Sequence, residues 1–282
     1  MSTAKQVKAR IRSIEPVGSY FHLVLEAPEI AQDVEPGHFV AIAVGGVGSG
    51  MLLRRAFSIH RATANDSIEV IFAKHGQGTE WLATQSPGDI LDIVAPLGKP
   101  FALPRQSVGC VLVAGGYGSA PMMMLAEALK ERGCQVEIVL GAANADKLFG
   151  VLESKAVADV VTVTTDDGSS GVRGRVTDVL PDAINRISAK AVYACGPMPM
   201  LKAVAQVAKD HGAYSQCAVE EAMACGIGVC MTCVLPVIGD DGITRMVRSC
   251  VEGPVFRGDR VRWDDVDTIP SDVLGAPSGS GH

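Results

Sequence analysis

The segment Val108–Pro121 reads VGCVLVAGGYGSAP and changes character halfway along its length. Its first half, Val108–Ala114, is a continuous apolar run, which is typical of a strand that is buried on both faces of a parallel sheet. A glycine-rich turn follows, and Pro121 suits the first turn of a helix because its missing N–H is not needed there. This succession of strand, turn and helix predicts a doubly wound α/β domain.

The alternation of strands and helices continues to about residue 215. Continuous apolar runs predict the strands, and apolar residues at helical spacing predict the helices. The predicted elements are the strands Val136–Leu140, Val160–Thr164 and Ala191–Cys195, and the helices Met122–Arg132, Thr177–Asn185 and Met198–Asp210. This rhythm indicates that the doubly wound domain extends over residues 105–215.

Residues 1–104 follow a different pattern. Short apolar runs are separated by Gly, Pro, Asn and Asp, which are turn-forming residues. These runs are Phe21–Leu25, Phe39–Val44, Ala56–His60 and Ile68–Phe72. Several strands at this spacing predict a small closed β-barrel. One helix is expected to interrupt the barrel, with Thr79 as its N-cap.

The end of the chain forms a third region. Residues 216–265 are rich in cysteine and poor in helical pattern, and residues 266–282, which end APSGSGH, predict a disordered tail. The predicted fold class is therefore multidomain β and α/β, with an N-terminal β-barrel, a doubly wound domain and a small C-terminal domain.

The composition of the 282-residue chain argues against two classes of protein. Charged residues make up only 20% and the net charge is −6, whereas a dedicated nucleic-acid binder shows a basic stripe. Three uncharged stretches reach membrane-spanning length, but glycines interrupt each of them, so buried strands with loops are expected instead; they are Pro36–Leu53, Ser107–Ala126 and Ala222–Gly239. No signal peptide is recognisable, and we expect a cytoplasmic protein.

The cysteine spacing is the strongest motif. Cys225, Cys230 and Cys233 lie within nine residues, and Cys250 follows after 16 intervening residues. This is the C-x4-C-x2-C…C spacing of plant-type [2Fe–2S] sites, in which one tight loop supplies three thiolates and a separate strand the fourth. The alternatives are a four-cysteine zinc site, which more often uses two C-x2-C pairs, and incidental buried cysteines. The gap before Cys250 is shorter than in plant-type ferredoxins, which indicates a smaller domain.

Two glycine-containing turns follow strands of the predicted α/β domain. Gly115, Gly116 and Gly118 stand where phosphate could approach the backbone and where a helix N-terminus would favour its charge. The third glycine of G-x-G-x-x-G is absent, but the strand–turn–helix context favours nucleotide binding over a plain tight turn. Cys195–Pro197 ends a second strand, at the edge where open α/β sheets bind ligands; the alternative is a small buried cysteine before a turn.

A basic pair enters a strand of the predicted barrel. In the run Arg54–Ser58, RRAFS, alternation along a strand puts Arg55 and Phe57 on one face and Ser58 on the other. A guanidinium for a pyrophosphate beside an aromatic ring suits a flavin dinucleotide, whereas a lone basic pair is usually solvated surface. Gly76–Thr79, GQGT, offers further N–H groups to phosphate.

The sequence contains no recognisable acid–base machinery, and we predict no catalytic residue. The six histidines are scattered and form neither a metal-binding pair nor a catalytic triad, and neither a G-x-S-x-G nor an H-E-x-x-H motif occurs. The predicted chemistry is therefore electron transfer by bound cofactors.

The order of these motifs resembles the ferredoxin–NADP reductase superfamily and, within it, the electron-transfer subunits of two-component dihydroorotate dehydrogenases. The resemblance covers nearly the whole chain, to about residue 262. It implies that FAD is bound by Arg55, Ala56, Phe57, Ser58, Ile71, Phe72, Ala73, Gly78 and Thr79. It implies that NAD(P) is bound by Gly115, Gly116, Gly118, Cys195, Gly196 and Pro197, and that the cluster ligands are Cys225, Cys230, Cys233 and Cys250. Pro96–Gly98 and Phe101 resemble the segment with which the family closes its barrel.

The resemblance also implies a relay of electrons. A nicotinamide exchanges a hydride with FAD, FAD exchanges single electrons with the cluster, and the cluster connects to FMN in a separate catalytic subunit that oxidises dihydroorotate in pyrimidine biosynthesis. The two kinds of subunit are expected to form a heterotetramer. Alternatives with the same layout are small subunits of NADPH-dependent ferredoxin oxidoreductases and flavin subunits of cytosolic hydrogenases. A redox-sensing regulatory module is a further alternative.

The residues after the second strand of the α/β domain bear on the choice of nicotinamide. Gly141–Asn144 carries no arginine that could meet a 2′-phosphate, so we expect NAD(H) to be preferred over NADP(H). Arg173 or Arg175 could still fold in from another loop.

The uncharged stretch Ala222–Gly239 is a candidate for part of the surface that contacts the partner. Exposed apolar residues often mark interfaces. The apolar residues expected to contribute are Met223, Ile227, Val229 and Met231, although some of them are expected to shield the cluster instead.

Overall fold

The computed structural model describes residues 4–46 and 48–276. The first part of the chain contains β1 (Lys5–Val17), β2 (Tyr20–Glu26), α1 (Pro28–Ala31), β3 (Phe39–Ile42), β4 (Arg55–Thr63), β5 (Ser67–Phe72), α2 (Gln77–Leu82) and β6 (Ile90–Leu97). Its six strands form a closed barrel in the order β1-β2-β5-β4-β3-β6. The predicted β-barrel is confirmed.

Strand β1 closes the barrel, and the sequence analysis did not predict it. It pairs with β2 on one side and with β6 on the other. Ala9 and Ile11 are buried, whereas Lys8, Arg10 and Arg12 are exposed. This alternation of apolar and charged residues is the period-two pattern of a half-buried strand, and it is the sequence feature from which β1 could have been predicted.

The second part of the chain alternates strands and helices as predicted. Its elements are β7 (Gly109–Gly115), α3 (Ala120–Glu131), β8 (Gln135–Ala142), α4 (Val151–Val157), β9 (Val160–Thr165), β10 (Val172–Arg173), α5 (Val176–Arg186), β11 (Ala191–Cys195), α6 (Met198–Asp210) and β12 (Tyr214–Ala218). The predicted bounds of α6 are those observed, and Pro121 lies in the first turn of α3. Within the part of the chain that the structure describes, no helix is both long enough and apolar enough to cross a membrane.

The third part adds β13 (Val234–Ile238), β14 (Thr244–Arg248) and β15 (Val255–Arg257). Strands β13 and β14 form a hairpin, and β15 joins the large sheet, whose order is β10-β9-β8-β7-β11-β12-β15. The pairs within this sheet are parallel except β12 with β15. The predicted multidomain fold class is confirmed.

The segment between the barrel and the sheet is held by side chains of β11 and β12. The Gln216 amide donates to the carbonyl of Ala102 at 2.7 Å, and the Ala102 N–H donates back to Gln216 Oε1 at 2.8 Å. The Tyr193 hydroxyl donates to the same carbonyl at 3.1 Å. These bonds fix the entry of the chain into the α/β domain.

Thr79 is not the N-cap of α2, contrary to our prediction. The N-cap is Gly76, whose φ of 131° is a conformation that favours glycine. Thr79 lies inside the first turn, where its hydroxyl accepts from the His75 N–H at 2.7 Å and donates to the Gly76 carbonyl at 3.1 Å. The hydroxyl therefore braces the turn that precedes the helix.

Residues 266–276, which lie within the predicted disordered tail, are mostly exposed but contact the rest of the chain at a few positions. Val273 is buried, and the Leu274 N–H donates to the Thr244 carbonyl at 2.9 Å. Asp272 forms an ion pair with Arg262 at 2.6 Å. Residues 277–282 of the predicted tail lie outside the described residues.

Candidate functional site

A cleft of about 970 Å³ opens where the barrel, the α/β domain and the start of the third part meet. It brings together most residues predicted to bind FAD and all of those predicted to bind NAD(P). These are Ala56, Phe57, Ser58, Ile71, Phe72, Ala73 and Thr79 from the barrel, and Gly115, Gly116, Gly118, Cys195, Gly196 and Pro197 from the α/β domain. Arg55 and Gly78, also predicted to bind FAD, do not line the cleft.

Strand β4 presents the predicted flavin motif in alternation. Ala56 and Ser58 are exposed, whereas Arg55 and Phe57 are half-buried. The ring centroid of Phe57 lies 5.8 Å from that of Phe72, and Phe57 packs against the barrel core. The motif therefore offers the Ser58 hydroxyl to the cleft and uses Phe57 partly as a core residue.

The two adjacent arginines have different partners. Arg54 donates to Asp92 Oδ1 at 2.6 Å and to the Asp92 carbonyl at 2.7 Å. Arg55 donates to the Leu53 carbonyl at 2.7 Å and pairs with no carboxylate among the described residues. A Cβ on Gly78 would lie 2.8 Å from Arg55 Nε, so only glycine at this position leaves room for the Arg55 side chain. The charge of Arg54 is thus already paired with Asp92, whereas that of Arg55 has no carboxylate partner among the described residues.

The two glycine-containing turns of the α/β domain touch each other. A Cβ on Gly118 would lie 2.5 Å from the Cys195 carbonyl oxygen, and one on Gly115 would lie 3.0 Å from Pro197 Cδ. The turns therefore form a continuous backbone floor at the carboxyl ends of β7 and β11. Burial raises the pKa of the Cys195 thiol to about 12, so this cysteine is a neutral wall residue at neutral pH.

Tyr117 and Glu220 close one side of the cleft, and the sequence analysis predicted a role for neither. The Tyr117 hydroxyl donates to Glu220 Oε1 at 2.8 Å, and the Tyr117 ring meets that of Tyr20 edge-on at 5.9 Å. Burial, reinforced by Glu220, raises the pKa of the Tyr117 phenol well above its usual value. The one sequence feature that could have indicated this role is the position of a tyrosine inside a glycine turn.

Charged side chains lie in the cleft wall beyond the glycine turns. The wall continues through residues 141–143 at the end of β8, and it includes Asp166 after β9 and Arg175 before α5. Arg173 does not line the wall; its side chain packs beside Gly168. Lys147 also lines the cleft, so the charges available to a 2′-phosphate are of both signs.

The four predicted cluster ligands lie in the loop before β13 and just after β14. Cys233 and Cys250 are each 2% exposed, whereas Cys225 is partly exposed and Cys230 is exposed. The Val229 N–H points at Cys225 Sγ from 3.3 Å, and the Cys250 N–H points at Cys233 Sγ from 3.4 Å. Such outer hydrogen bonds orient and tune metal-binding sulfurs.

The four cysteines differ in their surroundings. Cys233 and Cys250 pack in one apolar cluster, whereas Cys225 and Cys230 are the more exposed pair. Hydrogen bonds from Thr232 lower the pKa of the Cys230 thiol to about 6, and burial raises that of Cys250 to about 12. Over residues 4–46 and 48–276, no three His, Cys, Asp or Glu side chains are placed to hold one metal ion. In number and spacing the four thiols fit a [2Fe–2S] cluster, which is held by four protein sulfurs.

Phe39 and Met223 form a wall shared by the cleft and the cysteine loop. Both line the cleft, and both pack in the apolar cluster that contains Cys233 and Cys250. Met223 is therefore half-buried beside these cysteines, which is the shielding position that the sequence left open for some residues of the stretch. The other residues of that expected surface are exposed, at 54% for Ile227, 76% for Val229 and 52% for Met231.

Comparison with known proteins gives matches for both the α/β domain and the cysteine-rich region. A family model described as the iron–sulfur cluster binding domain of dihydroorotate dehydrogenase B matches residues 220–262, and an oxidoreductase NAD-binding domain matches residues 112–206. The dihydroorotate dehydrogenase B (NAD(+)) electron transfer subunit of Geobacillus thermodenitrificans is 38% identical over 244 residues, which cover 86% of this chain and 92% of the relative. The chain belongs to the family of dihydroorotate dehydrogenase B electron transfer subunits. The resemblance inferred from the motif order is confirmed.

Two further relatives extend the comparison. The electron transfer subunit of Desulforamulus reducens is 32% identical over 245 residues, which cover 86% of this chain and 93% of the relative. The structure of the NADH-dependent reduced ferredoxin–NADP oxidoreductase, studied for flavin-based electron bifurcation, contains a chain that is 31% identical. That chain superposes with a TM-score of 0.80, and the match covers 92% of this chain and 91% of that one.

Proposed function

We propose that this chain passes electrons between NAD(H) and the FMN of a separate dihydroorotate dehydrogenase catalytic subunit. The observation that carries the proposal is the wall formed by Phe39 and Met223, because it puts a cleft with both nucleotide motifs directly beside Cys233 and Cys250. Family membership supports the same role. Residues 1–104, 105–215 and 216–265 would act as the FAD, nicotinamide and cluster domains.

In this proposal, three groups occupy three adjoining sites. FAD is held by Arg55–Ser58, Ile71–Ala73 and Gly78–Thr79, NAD(P) by Gly115–Gly118 and Cys195–Pro197, and the [2Fe–2S] cluster by Cys225, Cys230, Cys233 and Cys250. When bound, these groups supply hydride exchange at the nicotinamide and single-electron exchange at the iron. The protein supplies binding, orientation and shielding, and no side chain is needed as an acid or base.

The side chains around the cleft have separable tasks. Arg55 offers guanidinium donors to a pyrophosphate, and the contact between the glycine turns fixes the floor on which a nicotinamide lies. The hydrogen bond from Tyr117 to Glu220 ties the floor to the segment that leads into the cysteine loop. Phe39 fills the space between the cleft and the cysteines and keeps that wall apolar.

The preferred nicotinamide in this proposal is NAD(H). Residues 141–143 carry no charge, and the carboxylate of Asp166 in the same wall disfavours a 2′-phosphate. Arg175 and Lys147, which also line the cleft, act in the opposite sense, so the preference is expected to be moderate.

The partner is expected to cover the cysteine loop. Cys230 is exposed and is flanked by Val229 and Met231, which are also exposed. Exposed apolar side chains around an electron carrier suit a protein interface that brings the next carrier close. We propose a heterotetramer with an FMN-containing catalytic subunit, acting in the cytoplasm, where all eight cysteines would stay reduced as the structure has them.

A second candidate is a subunit of an NADH-dependent reduced ferredoxin–NADP oxidoreductase. The structural relative of that kind matches more than nine-tenths of both chains, which favours this alternative over other flavin reductases. The two candidates share the cleft and the cluster and differ in the protein that docks on the cysteine loop.

Anaerobic purification and reconstitution with the cognate catalytic subunit test the proposal. The chain alone should contain one FAD and one [2Fe–2S] cluster and should reduce ferricyanide with NADH, but it should not oxidise dihydroorotate. Addition of the catalytic subunit should give dihydroorotate-dependent NAD reduction. Dihydroorotate oxidation by the chain alone would refute the subunit assignment. Failure to form the complex, with intact NADH activity, would favour the ferredoxin-linked candidate.

A further inference from the structure

The turn between β1 and β2 of the barrel reaches the α/β domain and meets the segment that follows β8. The Tyr20 hydroxyl donates to the Lys147 carbonyl at 2.8 Å, and the Ser19 hydroxyl donates to the Asp146 carbonyl at 2.7 Å. Each bond joins residues that are 127 positions apart in the chain. Two consecutive carbonyls of the α/β domain are therefore held by two consecutive side chains of the barrel.

Tyr20 is a rigid support for this contact. It is buried, and its ring meets the rings of Tyr117 and Phe149 edge-on, each with centroids 5.9 Å apart. Burial raises the pKa of the Tyr20 phenol, so its hydroxyl keeps its proton at neutral pH. Tyr117 belongs to the glycine turn, and Phe149 follows Lys147 by two residues. Tyr20 thus stands between the glycine turn and the segment that carries Lys147.

The backbone of Lys147 is fixed at both of its polar groups. Its N–H donates to Asn144 Oδ1 at 3.2 Å, and its carbonyl accepts from Tyr20. A Cβ on Gly116 would lie 3.6 Å from the Tyr20 hydroxyl oxygen, so one hydroxyl lies against both the glycine turn and Lys147. On its flexible four-carbon stem, the Lys147 ammonium group can reach an anion that lies on the turn.

The charge of Lys147 is not used elsewhere in the described part of the chain. Lys147 is exposed and lines the cleft. Within residues 4–46 and 48–276 it forms no ion pair, whereas Lys130 of α3, for example, pairs with Asp159 at 2.6 Å. Among the described residues, Arg175 is the other lysine or arginine in the cleft lining, and it lies before α5. Lys147 is thus an available cation beside the glycine turn.

We propose that Lys147 binds the pyrophosphate of the nicotinamide dinucleotide and that Tyr20 and Ser19 position it for this contact. The inference rests on the nicotinamide site of the proposed function. Glycine turns offer N–H groups to a phosphate, but neither Gly115–Gly118 nor Cys195–Pro197 contains a basic residue. An ammonium group supplies the missing positive charge. Because NAD(H) and NADP(H) share the pyrophosphate, Lys147 should strengthen the binding of both.

Calorimetric titration of the oxidised holoprotein with NAD⁺, NADP⁺ and ADP-ribose tests the contact without turnover. ADP-ribose keeps the pyrophosphate and lacks the nicotinamide. Lys147→Met should raise the Kd of all three ligands by a similar factor of about ten, which is the low end of what a charge-assisted hydrogen bond contributes. Lys147→Arg keeps the charge and should stay within about twofold of wild type.

Lys155→Met is the matched control for the lost charge. Lys155 is an exposed lysine on α4 that does not line the cleft, and its variant should bind all three ligands like wild type. A loss confined to NADP⁺ in Lys147→Met would mean that Lys147 acts on the 2′-phosphate alone, and it would overturn the inference.

A double-mutant cycle tests the positioning role. Tyr20→Phe removes the hydroxyl and keeps the ring, and it should raise the Kd of NAD⁺ about threefold. The same change should have no further effect in Lys147→Met, because the hydroxyl acts through Lys147. Ser19→Ala should follow the same pattern with an effect of about twofold. FAD content at the wild-type level verifies that the barrel of each variant is intact. Equal losses in both backgrounds would overturn the positioning role.

The wild-type titration separates this inference from the proposed function. A wild-type protein that binds neither NAD⁺ nor ADP-ribose would contradict the nicotinamide site itself, and the inference with it. A wild-type protein that binds both, with Lys147→Met binding them equally tightly, would overturn the inference alone.

Discussion

The cleft and the cysteine loop are organised by different forces. In the cleft, the backbones of the two glycine turns are in contact, because Gly118 packs directly against the Cys195 carbonyl. In the cysteine loop, Cys230 is exposed and few hydrogen bonds order the residues around it. The difference teaches that the nucleotide sites are built by packing, whereas the cluster site is completed by the metal that it binds. Perturbing one site should therefore leave the other intact.

The largest expected effect comes from removing Cys230, the exposed member of the proposed cluster ligands. Cys230→Ser should abolish the [2Fe–2S] absorbance and iron content while FAD binding and NADH-to-ferricyanide activity largely remain, because the cleft does not depend on this loop. Anaerobic iron analysis and visible spectra measure the first, and flavin content the second.

Cys134→Ala is the control for this variant, since Cys134 lies in the α/β core far along the chain from the loop. It should keep a full cluster. Stoichiometric zinc in wild-type protein made with adequate iron would contradict the cluster assignment, and loss of FAD in Cys230→Ser would break the comparison between the two sites.

The next effect concerns the floor of the cleft. Gly118→Ala puts a Cβ 2.5 Å from the Cys195 carbonyl oxygen, so one of the two turns must shift. A shift of about 1 Å can cost about 100-fold, and we expect kcat/KM for NADH to fall by about that factor with cluster content unchanged. Gly50→Ala is the control, because its Cβ would enter open space. Unchanged NADH kinetics in Gly118→Ala would show that the floor does not position the nicotinamide.

A smaller effect separates the two arginines. Arg55→Ala should weaken FAD binding about 10- to 150-fold, which corresponds to the 1.5–3 kcal/mol of a charge-assisted hydrogen bond. Arg54→Ala should change it little, because Arg54 already pairs with Asp92. Flavin fluorescence titration of both apoproteins gives the two dissociation constants. Equal losses would mean that the motif is displaced by one residue.

These features could be predicted from the sequence to different extents. The cysteine spacing, the glycine turn and the Arg55–Ser58 strand are local patterns, and the structure brings their cleft-lining members together. The contact of Tyr117 with Glu220 joins residues 103 positions apart, and the Tyr20–Lys147 bond joins residues 127 apart. Such contacts arise from the packing of domains, which no local pattern encodes. The position of Met223 has the same origin: the sequence left open whether it joins the contact surface or shields the cluster, and only the fold shows that it packs with Phe39 beside Cys233 and Cys250.

The exposed face of the cysteine loop provides a test with an effect of about tenfold. Val229 is 76% exposed, and Val229→Glu should weaken binding of the catalytic subunit about tenfold, because a charge would be buried in an apolar contact. NADH-to-ferricyanide activity should be unchanged, since the cleft lies behind Phe39 and Met223. Leu152→Glu adds the same charge at a residue that is 82% exposed on α4 and should not affect binding. Equal binding by both variants would remove the loop from the interface.

The smallest expected effect is on the choice between NAD(H) and NADP(H). This choice depends on charged side chains in the cleft wall, whereas the shape of the cleft depends on packing. Asp166 and Arg175 lie in the same wall and act oppositely on a 2′-phosphate. A single charge about 4 Å from the phosphate would contribute about 1 kcal/mol in water, or about a fivefold change in kcat/KM. Wild-type protein should prefer NADH; Asp166→Asn should raise kcat/KM for NADPH about fivefold, and Arg175→Ala should lower it by a similar factor. Both variants should stay within twofold of wild type with NADH, because that nucleotide presents a neutral ribose hydroxyl.

A higher kcat/KM for NADPH than for NADH in the wild type would overturn the preference. An equal fall of kcat/KM with both nucleotides would mean that these residues shape the cleft and do not contact the 2′-phosphate.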